Sequence, residues 1–397
     1  MKHIVVVGDG MADLPQSGLK GETPLESAYM PHSNFLAARG RTGLVKTCYP
    51  GLPVESAVAN MGILGYDPYR FYPTGRASFE ALARGIPLET GDIALRCNLI
   101  SLDSQGAILD FTSRQIPDGE ALSLISHLST GSTGIEIYSG QSYRNLLILR
   151  DAGILAADLV THPPHLNIGK EWRPLLVSGK DTASQVVAER INGFLLSSLE
   201  QIAKLNKSFH TAADMCWVWS PSEKPVLPPF TEIHGLTGSL VCGIDSIRGI
   251  GIAAQMVSEI VPEATGYSDT NLASKLAYTV KGLKRSDFVF VHINAPDEES
   301  HQHSLTGKLS VLERIDREFL GPLVEHLRQE YPSRFRIAFL PDHYTLLENG
   351  KHRPMAVPFL VYGEGILPDK SRGYNEREAR QRGSFRLTSL ELLKTLF

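Results

Sequence analysis

The chain has 397 residues, of which 42% are hydrophobic and 21% charged, as in a globular protein of about two or three domains. Its formal net charge of −4 gives no basic footprint for nucleic acid or an anionic membrane. No apolar run approaches the roughly 20 residues of a membrane span, and the start of the chain lacks a signal-peptide core, so we expect a cytoplasmic protein. The four cysteines are scattered, which indicates reduced thiols.

Strand-like and helix-like segments alternate over residues 1–85 and again from about 230 to the end. Strands are predicted at residues 4–8, 240–244, 288–293, 336–340 and 358–363. Helices are predicted at 270–281 and 308–330, where apolar residues recur at helical spacing. This alternation predicts an α/β fold with a doubly wound, mostly parallel sheet flanked by helices.

The middle of the chain has a different pattern, with short strands mixed with helices at 118–128 and 181–205. A segment with four prolines, residues 220–229, is interpreted as a linker that returns to the first region. We therefore predict a discontinuous domain of residues 1–86 and 227–397, interrupted by an inserted, smaller α+β domain of residues 87–226.

Three predicted strands, far apart in the chain, are each followed by a carboxylate. Because the carboxyl ends of parallel strands meet at one edge of a sheet, these carboxylates and nearby histidines can converge. The candidates are Asp9, Asp297, His301, Asp342, His343 and His352. Mixed carboxylate and imidazole donors in this number suit two divalent metal ions better than one. Taken singly, Asp9 also fits an Asp-Gly turn, Asp297 a helix N-cap and His352 a solvated loop.

Two such ions usually serve phosphoryl transfer or hydrolysis, which calls for a nucleophile in a turn that leads into a helix. The run PVESAVAN, residues 53–60, places Ser56 in such a turn. A serine hydroxyl needs activation at neutral pH, and metal coordination can supply it. An ordinary N-cap is the simpler interpretation of Ser56.

The chain resembles a known family through motifs that occur in the family's order and spacing. They are DGMAD near the start, PVESAVANMGILGYDP, GRASFEALARGI, VHINAPDEESHQ, LPDHYT and HRPMAVPFLVYG. These motifs are similar to those of cofactor-independent phosphoglycerate mutases of the archaeal type, members of the alkaline phosphatase superfamily. The resemblance covers nearly the whole chain and implies an alkaline-phosphatase-like domain split by an inserted domain.

The resemblance also implies a ligand set and a mechanism. The implied ligands are Asp9, Asp342, His343 and the Ser56 oxygen for one ion, and Asp297, His301 and His352 for the other. Ser56 would attack the phosphate of 3-phosphoglycerate, and the other hydroxyl of the bound glycerate would take the phosphoryl group back from phosphoserine. Manganese is the expected metal, with zinc, magnesium and cobalt as alternatives, and 2,3-bisphosphoglycerate is not required.

Arginine side chains are suited to hold a small phosphorylated metabolite, because guanidinium groups grip phosphate and carboxylate bidentately. The candidates are Arg76, Arg96, Arg114 and Arg144, with His165 as a further member. For each arginine, a surface salt bridge is the alternative. The sequence leaves the oligomeric state open, a homo-oligomer included.

The departures from the family pattern lie on the substrate side. Ala57 follows Ser56 where the family often has an acidic residue, and residues 110–114 (DFTSR) and 214–222 (DMCWVWSPS) differ from the usual motifs. They leave open a related phosphotransferase, such as a homoserine-kinase-like enzyme, or a phosphomonoesterase for another small phosphorylated metabolite. A kinase would need a nucleotide site, and the sequence has no P-loop motif. A metal-binding protein without catalysis is the third interpretation.

Overall fold

The computed structural model describes residues 1–131 and 134–397. Its strands are β1 Lys2–Gly8, β2 Arg41–Lys46, β3 Ile93–Leu102, β4 Ile108–Asp110, β5 Ile135–Gln141, β6 Arg144–Leu149, β7 Leu159–Val160, β8 Ser178–Gly179, β9 Met215–Glu223, β10 Gly238–Val241, β11 Val257–Ser258, β12 Phe288–Ile293, β13 Phe335–Leu340, β14 Tyr344–Thr345, β15 His352–Arg353, β16 Val357–Gly363 and β17 Phe385–Thr388. Its helices are α1 Pro24–Ser27, α2 Pro31–Arg39, α3 Ser56–Ile63, α4 Pro68–Phe71, α5 Ala77–Ala83, α6 Asp118–His127, α7 Thr182–Phe209, α8 Phe230–His234, α9 Asp245–Ala253, α10 Leu272–Arg285, α11 Ala295–His301, α12 Leu305–Arg314, α13 Gly321–Glu330, α14 Glu376–Gln381 and α15 Ser389–Leu396.

The chain divides into two compact units. The first, the discontinuous unit, contains Met1–Tyr72 and Val226–Phe397, and the second, the inserted unit, contains Pro73–Pro225. The first boundary therefore lies 14 residues before the one predicted after residue 86. The reason is α5, whose Ala77 and Ala81 pack with Ala94 of β3 and with β6 in the core of the inserted unit. The predicted linker also begins too early, because its first residues lie in β9.

An eight-stranded sheet forms the centre of the discontinuous unit. Its strand order is β11-β10-β12-β1-β13-β16-β2-β17, and the pairs from β11 to β13 are parallel. Only β16 runs against its neighbours, β13 and β2. The predicted α/β class with a mostly parallel sheet is confirmed.

Strand β1 lies inside this sheet, between β12 and β13. The side chains of Ile4, Val5, Val6 and Val7 are fully buried, as expected for a parallel strand covered on both faces. Their continuous apolar run is what fixes β1 in the middle of the sheet. The strand delivers Gly8 and the residues after it to the carboxyl edge.

The helix predicted at 308–330 is interrupted. Helices α12 and α13 are separated by a π-helical segment, Ile315–Leu320, which turns Asp316 toward the start of α2. The buried Asp316 carboxylate accepts hydrogen bonds from the backbone of His32 at 2.9 Å and Ser33 at 2.7 Å. These bonds cap α2, which lacks a side-chain cap of its own.

The inserted unit is built on an antiparallel sheet. Strand β3 pairs with β6 on one side and β9 on the other, β5 adds to β6, and β4 pairs with the end of β3. Helix α7, 28 residues long, packs on this sheet through residues such as Ile191 and Phe194. None of the helices in the described residues is long and apolar enough to span a membrane.

Candidate metal centre

The three predicted carboxylates follow three adjacent parallel strands. Asp9 comes directly after β1, Asp342 comes two residues after β13, and Asp297 lies in α11, which begins shortly after β12. Because β12, β1 and β13 are neighbours with aligned ends, the three side chains reach one edge of the sheet. All three carboxylates are buried.

Two groups of metal-type donors form at this edge. We call Asp9, Asp342 and His343 the first triad, and Asp297, His301 and His352 the second triad. In each triad, one donor atom from every residue lies within 4.8 Å of the others. The structure thus brings together all six residues that the strand-end argument selected, in the grouping that the resemblance implied.

Ser56 lies beside the first triad. Its Oγ is 3.1 Å from Asp9 Oδ2 and 3.2 Å from His343 Nε2. Ser56 is the first residue of α3, and the preceding Glu55 occupies the N-cap position without a side-chain cap bond. The serine hydroxyl therefore faces the triad, in contrast to the simple capping role considered for it.

In the second triad, both histidines are hydrogen-bonded to backbone carbonyls through the ring nitrogen that faces away from Asp297. His301 Nδ1 donates to the Gly350 carbonyl and His352 Nδ1 to the Val54 carbonyl, each at 2.8 Å. Asp297 lies within 3.3 Å of both imidazoles, with Oδ2 at 3.1 Å from His301 Nε2. His352 is thus neither solvated nor free in its loop, and Asp297 is not the N-cap of α11, which is Asn294.

The chemistry of the donors fits cations. Since both Nδ1 atoms of the second triad donate to carbonyls, each neutral imidazole presents a lone pair at Nε2, and these two atoms lie 3.3 Å apart. In the first triad, the buried Asp9 Oδ1 has no hydrogen-bond partner. Acceptors that face one another at such short distances need a shared positive charge.

The pKa shifts of the site also indicate a place for positive charge. Burial and the charges of Asp342 and Asp297 raise the pKa of Asp9 well above its usual value. Burial lowers the pKa of His343 to about 4, which keeps this imidazole neutral. At His301 burial opposes protonation, but the Asp297 carboxylate prevails and raises the pKa to about 9. Without a metal, the centre takes up protons where a ligand set would hold a cation.

Three residues of the centre were missed by the sequence reasoning. Asn60, one turn after Ser56, donates from Nδ2 to Asp342 Oδ2 at 2.9 Å. Thr345 contacts both triads through its hydroxyl. His292 lies in β12, with a buried Nε2 3.4 Å from Asp9 Oδ2 and Nδ1 3.7 Å from Cys242 Sγ. A histidine inside an otherwise apolar buried strand was the available signal for His292.

The substrate-binding candidates all lie in the inserted unit. The guanidinium carbons of Arg76 and Arg96 lie 5.5 and 4.5 Å from the centre of the Trp219 ring. Arg96 is buried and pairs with Glu80 at 3.2 Å. Burial, reinforced by the charges of Arg76 and Arg144 and opposed by Glu80, lowers the pKa of Arg96 to about 10. We call Arg76, Arg96, Arg144, His165 and Trp219 the basic cluster.

His165 contacts the basic cluster, whereas Arg114 lies outside it. The His165 ring is exposed and packs edge-on against Trp219, with ring centres 5.2 Å apart. The Arg114 side chain is exposed in a turn whose backbone N–H bonds to Asp110, and in the described residues the contacts that define the basic cluster do not include it. Trp219, on which the cluster is built, was not selected from the sequence.

Comparisons with known proteins identify the family of this chain. The profile of the 2,3-bisphosphoglycerate-independent phosphoglycerate mutase family matches residues 37–206. A mutase of this name from Methanothermobacter thermautotrophicus is 38% identical over 383 residues, covering 96% of this chain and 93% of that protein. One from Methanosarcina barkeri is 37% identical over 391 residues, covering 98% of this chain and 96% of that protein. The chain belongs to this family.

Solved structures agree with the family assignment. The cofactor-independent phosphoglycerate mutase from Thermoplasma acidophilum is similar with a TM-score of 0.64 and 26% identity, covering 100% of this chain and 99% of that one. A protein from Pyrococcus horikoshii is similar with a TM-score of 0.80 and 26% identity, covering 100% of this chain and 96% of that one. The predicted membership of the phosphoglycerate mutase family, and with it the enzyme class, is confirmed.

Proposed function

We propose that this protein interconverts 3-phosphoglycerate and 2-phosphoglycerate, a step of glycolysis, by moving the phosphoryl group through Ser56. One observation carries the proposal. The Ser56 hydroxyl lies about 3 Å from two atoms of the first triad that can bind a metal, Asp9 Oδ2 and His343 Nε2. The names of the relatives support the substrate, a small phosphorylated metabolite.

The two triads would hold two divalent ions, with manganese as the proposed metal. Asp9, Asp342, His343 and Ser56 would ligate one ion, and Asp297, His301 and His352 the other. Such ions, when bound, lower the pKa of a coordinated hydroxyl and offset the negative charge of a phosphoryl group. The proposal requires no 2,3-bisphosphoglycerate.

The chain's own groups then have defined tasks. Ser56 Oγ forms a bond to phosphorus as the bond between phosphorus and the substrate oxygen breaks, and in net terms the serine proton moves to the freed hydroxyl. The other hydroxyl of glycerate attacks phosphoserine in the reverse sense and restores Ser56. Asn60 holds Ser56 and Asp342 in position relative to each other, because its Nδ2 donates to the Ser56 carbonyl at 2.8 Å and to Asp342 Oδ2 at 2.9 Å.

The basic cluster is the proposed binding group for the anionic substrate. Arg76 and Arg96, stacked on Trp219, and the neighbouring Arg144 offer planar donors for phosphate or carboxylate. His165 is retained as a further contact. Arg114 is kept as a candidate of lower rank, because its side chain is exposed outside the cluster.

An enolase-coupled assay tests the proposed function with the Ser56→Ala variant. We expect this variant to lose activity while it still binds metal, and the half-exposed Ser27→Ala to behave as the wild type. Incubation of the wild type with substrate, followed by acid quenching and mass spectrometry, should show phosphate on the peptide that contains Ser56. A fully active Ser56→Ala protein would overturn the mechanism.

A second candidate is a phosphotransferase or phosphomonoesterase for another small phosphorylated metabolite. It is favoured by Trp219, because the cluster is built on a residue of the 214–222 segment that departs from the family pattern. A panel of phosphorylated metabolites, assayed for transfer and for free phosphate, discriminates the two. A mutase should release little phosphate from 3-phosphoglycerate, whereas a phosphatase should release it in proportion to turnover.

A further inference from the structure

Thr345 lies between the two triads and belongs to neither. Its side chain is fully buried. Its Oγ1 is 2.6 Å from Asp297 Oδ1 in the second triad and 3.1 Å from His343 Nδ1 in the first. One hydroxyl group therefore touches a ligand of each proposed ion.

The direction of these two bonds follows from the number of protons. A hydroxyl has a single hydrogen, and a carboxylate can only accept, so the hydrogen of Thr345 goes to Asp297. The Thr345 oxygen must then accept from His343 Nδ1–H. This fixes the His343 tautomer with its lone pair on Nε2, the atom that lies beside Ser56 and Asp9.

The position of Thr345 is itself fixed by buried contacts. Its backbone N–H bonds the Ala12 carbonyl at 3.2 Å, and its carbonyl accepts from Lys308 Nζ at 2.9 Å. Lys308 is fully buried and pairs with Asp13 at 2.9 Å. In the β14–β15 ladder, Thr345 is also the direct partner of His352. The hydroxyl therefore has little freedom to leave its place.

We propose that Thr345 is a positioning residue that couples the two metal sites: its hydroxyl holds His343 and Asp297 together, so that its loss weakens metal binding at both. This inference rests on the two-ion centre of the proposed function. Partners that orient metal ligands typically change metal affinity by about 10 to 100-fold when removed. A hydroxyl shared by ligands of two ions should make that change at each.

The test is calorimetric titration of Mn²⁺ into the metal-stripped protein. Thr345→Val keeps the shape of the side chain but leaves His343 Nδ1–H and Asp297 Oδ1 without their shared partner. Thr345→Ser keeps the hydroxyl. Thr42→Val is the matched control, because Thr42 is fully buried in β2 and its hydroxyl bonds only Ser371 among the contacts described.

We expect two ions to bind the wild type, and both affinities to fall by about 10 to 100-fold in Thr345→Val. Thr345→Ser should retain most of both affinities, and Thr42→Val should match the wild type. Unchanged affinities in Thr345→Val, or a loss at one site only, would overturn the coupling and leave the proposed function standing. A wild type that binds fewer than two ions would overturn the two-ion centre and the coupling with it.

A second measurement needs no folded Thr345→Val protein. Nitrogen NMR of the ¹⁵N-histidine-labelled wild type, loaded with diamagnetic Zn²⁺ and assigned with His343→Gln, reports which ring nitrogen carries the hydrogen. The expected result is Nδ1–H at His343. Hydrogen on Nε2 would overturn the bonding direction on which the inference depends.

Discussion

The two units of the chain assemble their functional groups in different ways. In the discontinuous unit, Asp9, Asp297 and Asp342 meet because each follows one of three adjacent parallel strands. In the inserted unit, the basic cluster forms on an antiparallel sheet, where Arg96 and Trp219 are direct cross-strand partners and Arg76 comes from the start of α5. Strand ends obey a rule that can be read from a sequence, whereas cross-strand partners depend on a register that cannot.

The difference predicts that metal removal affects the first unit most. Stripping the protein with EDTA should abolish activity, and Mn²⁺ should restore it. At 100 times its Kd, each bound ion stabilises the folded state by about 2.7 kcal/mol, so two ions should raise the unfolding midpoint by roughly 10 °C. Scanning calorimetry with and without Mn²⁺ measures this shift. Full activity in the stripped protein would show that catalysis does not need the metal centre.

Asp297→Asn should be the next largest change. The amide keeps the shape but removes the charge that holds both imidazoles of the second triad. We expect kcat to fall by about 10²- to 10³-fold, as for the loss of one electrostatic group at a reacting centre, with a smaller change in KM. Glu313→Gln, a change of the same kind at a position outside both triads, is the control. A lower kcat in both variants would argue against a specific role.

How much of this could be predicted differs between the two units for a physical reason. The apolar runs before Asp9, Asp297 and Asp342 marked the strand ends, and the spacing of Asp297 and His301 placed both on one helical face. His292 was not selected: its only signal was a histidine inside an apolar strand, and the register with β1 is what sets it beside Asp9. Thr345 depends on the β14–β15 ladder, two residues long.

The inserted unit was harder to predict in its boundary and in its arginines. Helix α5 follows the pattern of the preceding helices, and only its packing against Ala94 assigns it to the inserted unit. Arg114 and Arg96 cannot be ranked without knowing which one faces Trp219. Burial and stacking carry that information, and neither follows from the sequence alone.

Arg76→Lys tests whether the basic cluster of the inserted unit binds the substrate. Lysine keeps the charge but loses the planar fork that can hold phosphate or carboxylate bidentately. We expect KM for 3-phosphoglycerate to rise about tenfold, which corresponds to about 1.4 kcal/mol of binding. The exposed Arg114→Lys should change KM by less than about twofold. Steady-state kinetics of both variants measures the two changes in KM. A larger change in Arg114→Lys than in Arg76→Lys would indicate that Arg114 binds the substrate.

The last prediction is the pH dependence of metal binding at the second triad, which is gradual at each step of pH. Because Asp297 raises the pKa of His301 to about 9, a proton competes with the metal below that pH. Metal affinity should therefore rise with pH up to about 9, by about tenfold per unit where His301 alone carries the competing proton. Titrations at three pH values, in buffers of different ionisation enthalpy, measure both the affinity and the released proton. An affinity independent of pH would show that His301 is already deprotonated.

The central position of β1 has a consequence for the order in which the chain folds as it is made. The two neighbours of this strand are synthesised much later: Phe288 of β12 comes 285 residues after its partner His3, and Phe335 of β13 comes 333 residues after its partner Lys2. The whole inserted unit, which ends at Pro225, is synthesised before either partner of β1. At typical translation rates of about 5 to 20 residues per second, the 332 residues from the end of β1 at Gly8 to the end of β13 at Leu340 take roughly 17 to 66 s. For that interval β1, whose Ile4, Val5, Val6 and Val7 are fully buried in the folded sheet, lacks the two strands that pair with its edges.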